Sequence, residues 1–117
     1  MTDETRLRER LTRERERVVQ QIAQLTHDYD AIVATAEGAS VDDEHDPEGA
    51  TIGFERAQVR ALLDHARAQL DALDDALARL DAGNYGSSLS CGAPIGAERL
   101  AARPATQTCI VCASRPR

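Results

Sequence analysis

Apolar residues recur at heptad-like spacing through the first third of the chain. Leu11, Val18, Leu25 and Ile32 return every seven residues, and Ile22 and Tyr29 fill the alternate seam position. Arg8 and Arg15 occupy that alternate position nearer the N-terminus, where their stems can run along the seam with the charge outside. No Pro or Gly interrupts residues 3 to about 35, and Glu/Arg pairs at short spacing add local support. A second stripe begins near Ala50. Ile52, Val59, Ala66, Leu73 and Leu80 form one row and Leu63, Leu70 and Leu77 the other, alternating four and three. Ala66 and its neighbouring alanines leave room for a partner helix to approach closely. Gly83-Asn84 is a helix stop signal.

The two stripes predict helices of roughly 33 residues, about 50 Å long at 1.5 Å per residue. Equal lengths and a short connection predict an antiparallel hairpin. The connection, about residues 36–49, carries the breakers Gly38, Ser40, Pro47 and Gly49, with Asp46 placed to cap the second helix and Pro47 in its first turn. The fold class is therefore mainly α. A long antiparallel coiled-coil hairpin spans 1–83, with an acidic tip at about 36–49. A small C-terminal zinc-ribbon-like module spans 84–117.

Charge changes this picture at one end. From Val18 through Glu55 there is no Arg, while the same span holds Asp28, Asp30, Glu37, Asp42, Asp43, Glu44, Asp46, Glu48 and Glu55. The turn between the helices is strongly anionic, and the start of the first helix is dense in Arg. A solvated loop would account for an arbitrary acidic turn. This one sits at the most protruding point of a hairpin that has no evident need to be so long, which favours a binding role. A net charge of −6 argues against general DNA binding, because phosphate neutralisation needs a basic face. All fourteen basic residues are Arg, which reads as coding bias. No long apolar run or signal-peptide pattern is present, so a cytoplasmic protein with no membrane segment is expected, and a monomer.

Chemistry concentrates in the last thirty residues. Cys91, Cys109 and Cys112 end in a Cys-x-x-Cys, and a fourth Cys at position 88 would complete a Cys-x2-Cys-x17-Cys-x2-Cys zinc ribbon. That position is Ser88. Thiolates are the usual ligands of structural zinc, whereas a serine hydroxyl is hard, neutral and shorter. His27, His45 and His65 all lie on the hairpin, so none offers an obvious fourth ligand. Three readings stand side by side. Zinc binds through three thiolates, with water or a borrowed group completing the site. Alternatively, the fold persists without metal, held by Tyr85, Leu89, Ile95, Leu100 and Ile110. In the third, Cys109 and Cys112 form a redox switch.

The segment YGSSLSCGAPIGAERLAARPATQTCIVC resembles the DksA/TraR family. Tyr85-Gly86, Cys91-Gly92, Pro94-Ile95, Arg99-Leu100, Ala102-Arg103-Pro104 and the Cys109/Cys112 pair match its pattern. The likeness covers about 40–113 in detail and the first helix only in pattern. It implies a transcription regulator that inserts its hairpin into the secondary channel of bacterial RNA polymerase, without sequence-specific DNA binding. The resemblance makes Asp42, Asp43, His45, Asp46, Glu48 and Ala50 the polymerase-contacting tip. The family tip carries two acids and then an Ala; these positions fall here on His45, Glu48 and Ala50, and Asp46 or Asp43 could serve where His45 cannot. Some relatives bind guanosine tetraphosphate through three basic positions. Only Arg103 is basic here, beside Ala72 and Ala113, so weak or absent nucleotide dependence is expected.

Two other functions fit the same residues: a scaffold acting on another complex, and a thiol-redox sensor. An enzyme is not expected, because no nucleophile–base arrangement, phosphate loop or substrate pocket is legible. Asp64 and His65 read as a solvated pair.

Overall fold

The apolar stripes produce the helices they predict. A computed structural model of the chain describes residues 3–37 and 47–115, with the side chains at 47–49 outside that description. Helix α1 is Asp3–Glu37 and α2 is Pro47–Ala82. The short helices α3, Ala97–Ala102, and α4, Ile110–Ala113, follow. The helix α2 begins at the anticipated Pro47, while Asp46 lies outside the described residues. No helix among the described residues is long and apolar enough to cross a membrane.

The two long helices pack antiparallel, and the chain divides into two compact units, Val18–Ala68 and Met1–Arg17 with Gln69–Arg117. In Val18–Ala68 the buried seam consists of Val18, Leu63 and Ala66. Leu25, Ile32, Ile52 and Val59 are half-buried. Arg60 pairs with Asp64 at 3.4 Å and also meets the Tyr29 hydroxyl. Ala31, Ile32 and Thr35 face Ile52 and Glu55 across a shallow cleft of about 150 Å³.

In the other unit Leu11, Leu73, Ala76 and Leu80 are buried. Ion pairs from Arg8 to Asp81 and from Arg15 to Asp74 set the register of α1 against α2. Both Arg residues keep their charge at the surface beside the seam, as their positions predict. Of the predicted row Leu63, Leu70 and Leu77, only Leu63 is sealed. Leu77 is only half-buried, and Ala76 is fully buried in its place. Ala76 follows Leu73 by three residues, and its small side chain suits close helix approach.

Helix α2 stops where Gly83-Asn84 predicts, and the end is a Schellman motif. The Gly83 N–H donates to the Leu80 carbonyl at 3.2 Å and the Asn84 N–H to the Arg79 carbonyl at 3.0 Å. Gly83 adopts φ 79°, which a Cβ would penalise.

Arg79, in that last turn, is the anomaly of the fold. It is 8 % exposed, and its three guanidinium nitrogens are buried with no hydrogen-bond partner among the described residues. Its one compensating contact is the Tyr85 ring, whose centroid lies 6.0 Å from the guanidinium carbon. A desolvated cation–π contact contributes about 2 kcal/mol and the helix C-terminus up to about 1. Removing an ion from water costs several kcal/mol, so the charge is a net liability. Replacing Arg79 by Met should therefore stabilise the fold by about 1–3 kcal/mol, read as a raised urea midpoint. An unchanged or lower midpoint would mean that the guanidinium finds a partner in solution.

Candidate metal centre

The C-terminal module has little regular structure with which to hold itself. A single isolated bridge, Ser87 with Pro94, is its only β pairing among the described residues. Around it the backbone forms a tight knuckle. The Ser88 N–H donates to the Ala93 carbonyl and the Gly92 N–H to the Ser88 carbonyl, both at 2.8 Å. Gly92 has φ 76°, so the turn that presents Cys91 needs a residue without Cβ. The second knuckle is the start of α4. Cys109 is its N-cap residue and Cys112 lies one turn on, so both sulfurs share one side.

Long side chains tie the knuckles to their surroundings. Arg99 Nε donates to the Thr108 carbonyl at 3.0 Å and its Nη2 to Thr106 Oγ1 at 3.1 Å, fixing the approach to Cys109. The Tyr85 hydroxyl donates to the Pro104 carbonyl at 2.8 Å. Gln107 Nε2 donates to Asp75 Oδ2 on α2 at 3.0 Å. The Arg99-Leu100 and Tyr85-Gly86 pairs are visible in the sequence as motif; their partners are not, because each is distant or a backbone atom. Burial also departs from expectation. Ile95 is buried and Tyr85 and Leu100 are half-buried, but Leu89 and Ile110 are 61 % and 60 % exposed and build no core.

The three thiols converge. Their sulfurs all lie within 4.8 Å of one another, with Cys109 buried, Cys112 half-buried and Cys91 exposed. Two thiolates bound to a tetrahedral zinc at about 2.3 Å lie roughly 3.8 Å apart. The Cys91 and Cys109 sulfurs are 3.7 Å apart, so this pair already has the spacing a metal requires. The local electrostatics favour one thiolate. The Cys112 backbone N–H is the largest influence on the Cys109 thiol and brings it down to about 6, against opposing burial. Cys112 is pushed up, chiefly by its contact with Cys109 and then Cys91. Ser88 is buried against Cys109 and Cys112, and its hydroxyl oxygen has no hydrogen-bond partner among the described residues. A sulfur-rich donor set with an orphaned polar atom at its edge fits a thiophilic divalent ion.

Residues 83–116 match the prokaryotic DksA/TraR C4-type zinc finger. The fold is similar to that of transcription factor DksA2 from Pseudomonas aeruginosa, at 28 % identity over 96 % of this chain and 81 % of that one, with a TM-score of 0.76. Residues 83–116 are a finger of the DksA/TraR family. No curated protein sequence matches the chain. The likeness is to a transcription factor. The chain's C4-type finger is one cysteine short, and Ser88 borders the gap.

The other anticipated residues are scattered relative to this cluster. Asp42, Asp43, His45 and Asp46 lie outside the described residues, as does the side chain of Glu48. Ala50 is exposed in the first turn of α2. His27 and His65 are exposed on the long helices and do not join the cysteines. Arg103 is exposed on the rim of an open cleft of about 640 Å³, lined also by Ile95, Glu98, Ala102 and Ile110.

Proposed function

We propose that this chain regulates transcription in the bacterial cytoplasm by binding RNA polymerase. The helical hairpin enters the secondary channel, and the acidic turn lies near the catalytic centre. Support comes from one observation above the others: the likeness to transcription factor DksA2 extends over 96 % of the chain, well beyond the finger. The charge map agrees. Carboxylates suit a channel ending at a magnesium-bearing site, where excluded water strengthens Coulomb attraction. Zinc held by Cys91, Cys109 and Cys112 would supply a structural cross-link between the two knuckles. The chain's own residues do the rest: Arg99 and Gln107 orient the finger, and the hairpin presents the turn. With Ala72 and Ala113 beside Arg103, the regulation runs with little dependence on guanosine tetraphosphate.

Binding of the purified chain to purified polymerase tests this directly. Affinity should fall as salt rises, because exposed carboxylates carry the attraction. Recovery of a different assembly and no polymerase subunits from cell extract would remove the proposal in favour of a scaffold elsewhere.

One apolar residue should add to the contact. Phe54, on α2 two turns from its start, is 71 % exposed among the described residues. An exposed aromatic at an interface centre typically contributes about 2 kcal/mol or more. Replacing Phe54 by Ala should weaken polymerase binding roughly tenfold or more, at 1.4 kcal/mol per decade, while far-UV circular dichroism stays unchanged. Unaltered affinity would place Phe54 outside the interface.

A further inference from the structure

Ser88 is the most fully enclosed polar side chain of the finger. It is 3 % exposed, and its backbone is held on both sides, by the Ala93 carbonyl and the Gly92 N–H. Its hydroxyl oxygen is sealed and has no oxygen or nitrogen partner among the described residues. Leaving a buried hydroxyl unsatisfied costs about 1–3 kcal/mol. Its neighbours are the sulfurs of Cys109 and Cys112, which can take its O–H but leave its oxygen lone pairs with at best a weak S–H donor. An oxygen with free lone pairs, enclosed beside three converging sulfurs, has the environment of a ligand lacking its ion. Had Ser88 served only to fill space, its hydroxyl could have been expected to turn toward a backbone carbonyl.

We propose that Ser88 is itself a metal ligand, its hydroxyl oxygen being the fourth donor of a three-thiolate, one-oxygen site for a thiophilic divalent cation of the zinc class. The inference rests on the reading that Cys91, Cys109 and Cys112 hold a metal, and it assigns the position which that reading leaves to water or a borrowed group. Serine is shorter than cysteine and zinc–oxygen bonds are shorter than zinc–sulfur bonds, so the ion would sit closer to the Ser88 backbone than a fourth thiolate would place it. An oxygen donor in place of a thiolate gives a less soft set, so this finger should hold its ion less tightly than a four-cysteine version of itself.

Cobalt(II) is the probe, added to the full reduced chain and to Ser88→Ala and Ser88→Cys. The wild type should give a tetrahedral visible spectrum that imidazole leaves unchanged. Ser88→Ala should bind cobalt about 10–100-fold more weakly, the range seen when a supporting polar group is lost from a metal site. Its spectrum should shift on adding imidazole, as an outside donor enters the opened position. Ser88→Cys should bind more tightly, with stronger sulfur-to-metal charge transfer. Electron paramagnetic resonance of the wild-type cobalt form in ¹⁷O-enriched water gives a second measure that does not depend on Ser88→Ala folding. No line broadening is expected, because protein oxygen holds the position in place of water. Broadening, or equal cobalt affinity for wild type and Ser88→Ala, overturns the assignment of Ser88 and leaves the three-thiolate site standing. Failure of both wild type and Ser88→Cys to take cobalt overturns the metal reading and this inference with it.

Discussion

Replacing Cys109 by Ala should abolish stoichiometric zinc binding and unfold residues 84–115, while Val18–Ala68 keeps its helicity. The module cannot support itself by burial. Among its described residues only Ser88, Ile95, Pro104 and Cys109 are buried, and α3 and α4 contribute no buried residue. A core this small falls far short of offsetting the conformational entropy of ordering some thirty residues, at about 1–2 kcal/mol each for backbone alone. Structural zinc contributes about 10–16 kcal/mol in small fingers, so metal and fold are expected to stand or fall together. Cys109 is the most consequential ligand to remove. It is the one buried thiol, it starts α4, and its carbonyl accepts the Ala113 N–H at 2.9 Å. The measurements are zinc release to a chromogenic chelator and amide hydrogen exchange. Protection in 84–115 should fall to that of an unfolded chain, and chelation of the wild type should have the same effect. Full protection in the metal-free variant would show that the finger holds by packing alone.

Neutralising Asp43, Asp46 and Glu48 together, to Asn, Asn and Gln, should reduce the effect on promoter output more than tenfold in a purified transcription system. Helicity should not change, because the substitutions keep size and remove only charge. Two unit charges at about 4 Å interact by roughly 4 kcal/mol at an effective dielectric of 20, against about 1 kcal/mol in bulk water. Even part of that energy, realised inside a channel, exceeds the 1.4 kcal/mol of one decade. The residual activity should also depend less on salt, since the screened term has been removed. Unaltered output with all three replaced would show that the turn is not the effector and that the hairpin acts by another surface.

Much of the fold was legible because its elements depend on local periodicity. The stripe through Leu11 and Val18 and that through Leu63, Ala66, Leu73 and Leu80 mark the faces the helices bury. Gly83-Asn84 marks the stop, since only a residue without Cβ suits the φ 79° that the motif requires. Spacing marked the three cysteines as one set, and the Leu89 N–H donating to the Gln107 carbonyl at 2.8 Å joins the two knuckles that carry them. The exposure of Leu89 and Ile110 was not legible. Apolar character says that a residue gains from burial, not that a partner exists, and a module with one bridge and two short helices has too few surfaces to cover them.

The sequence by itself determined two long helices, where they end, and a metal-type cysteine set in a DksA/TraR pattern. Each of these follows from short-range periodicity, backbone freedom or fixed ligand spacing. Tertiary structure alone decided that Ala76 and not Leu77 is sealed, that Arg79 is buried against Tyr85 without a hydrogen bond, and that the Ser88 hydroxyl is enclosed beside the thiols. Those outcomes depend on which distant surfaces meet and on how much water they exclude, and neither quantity is carried by any run of neighbouring residues.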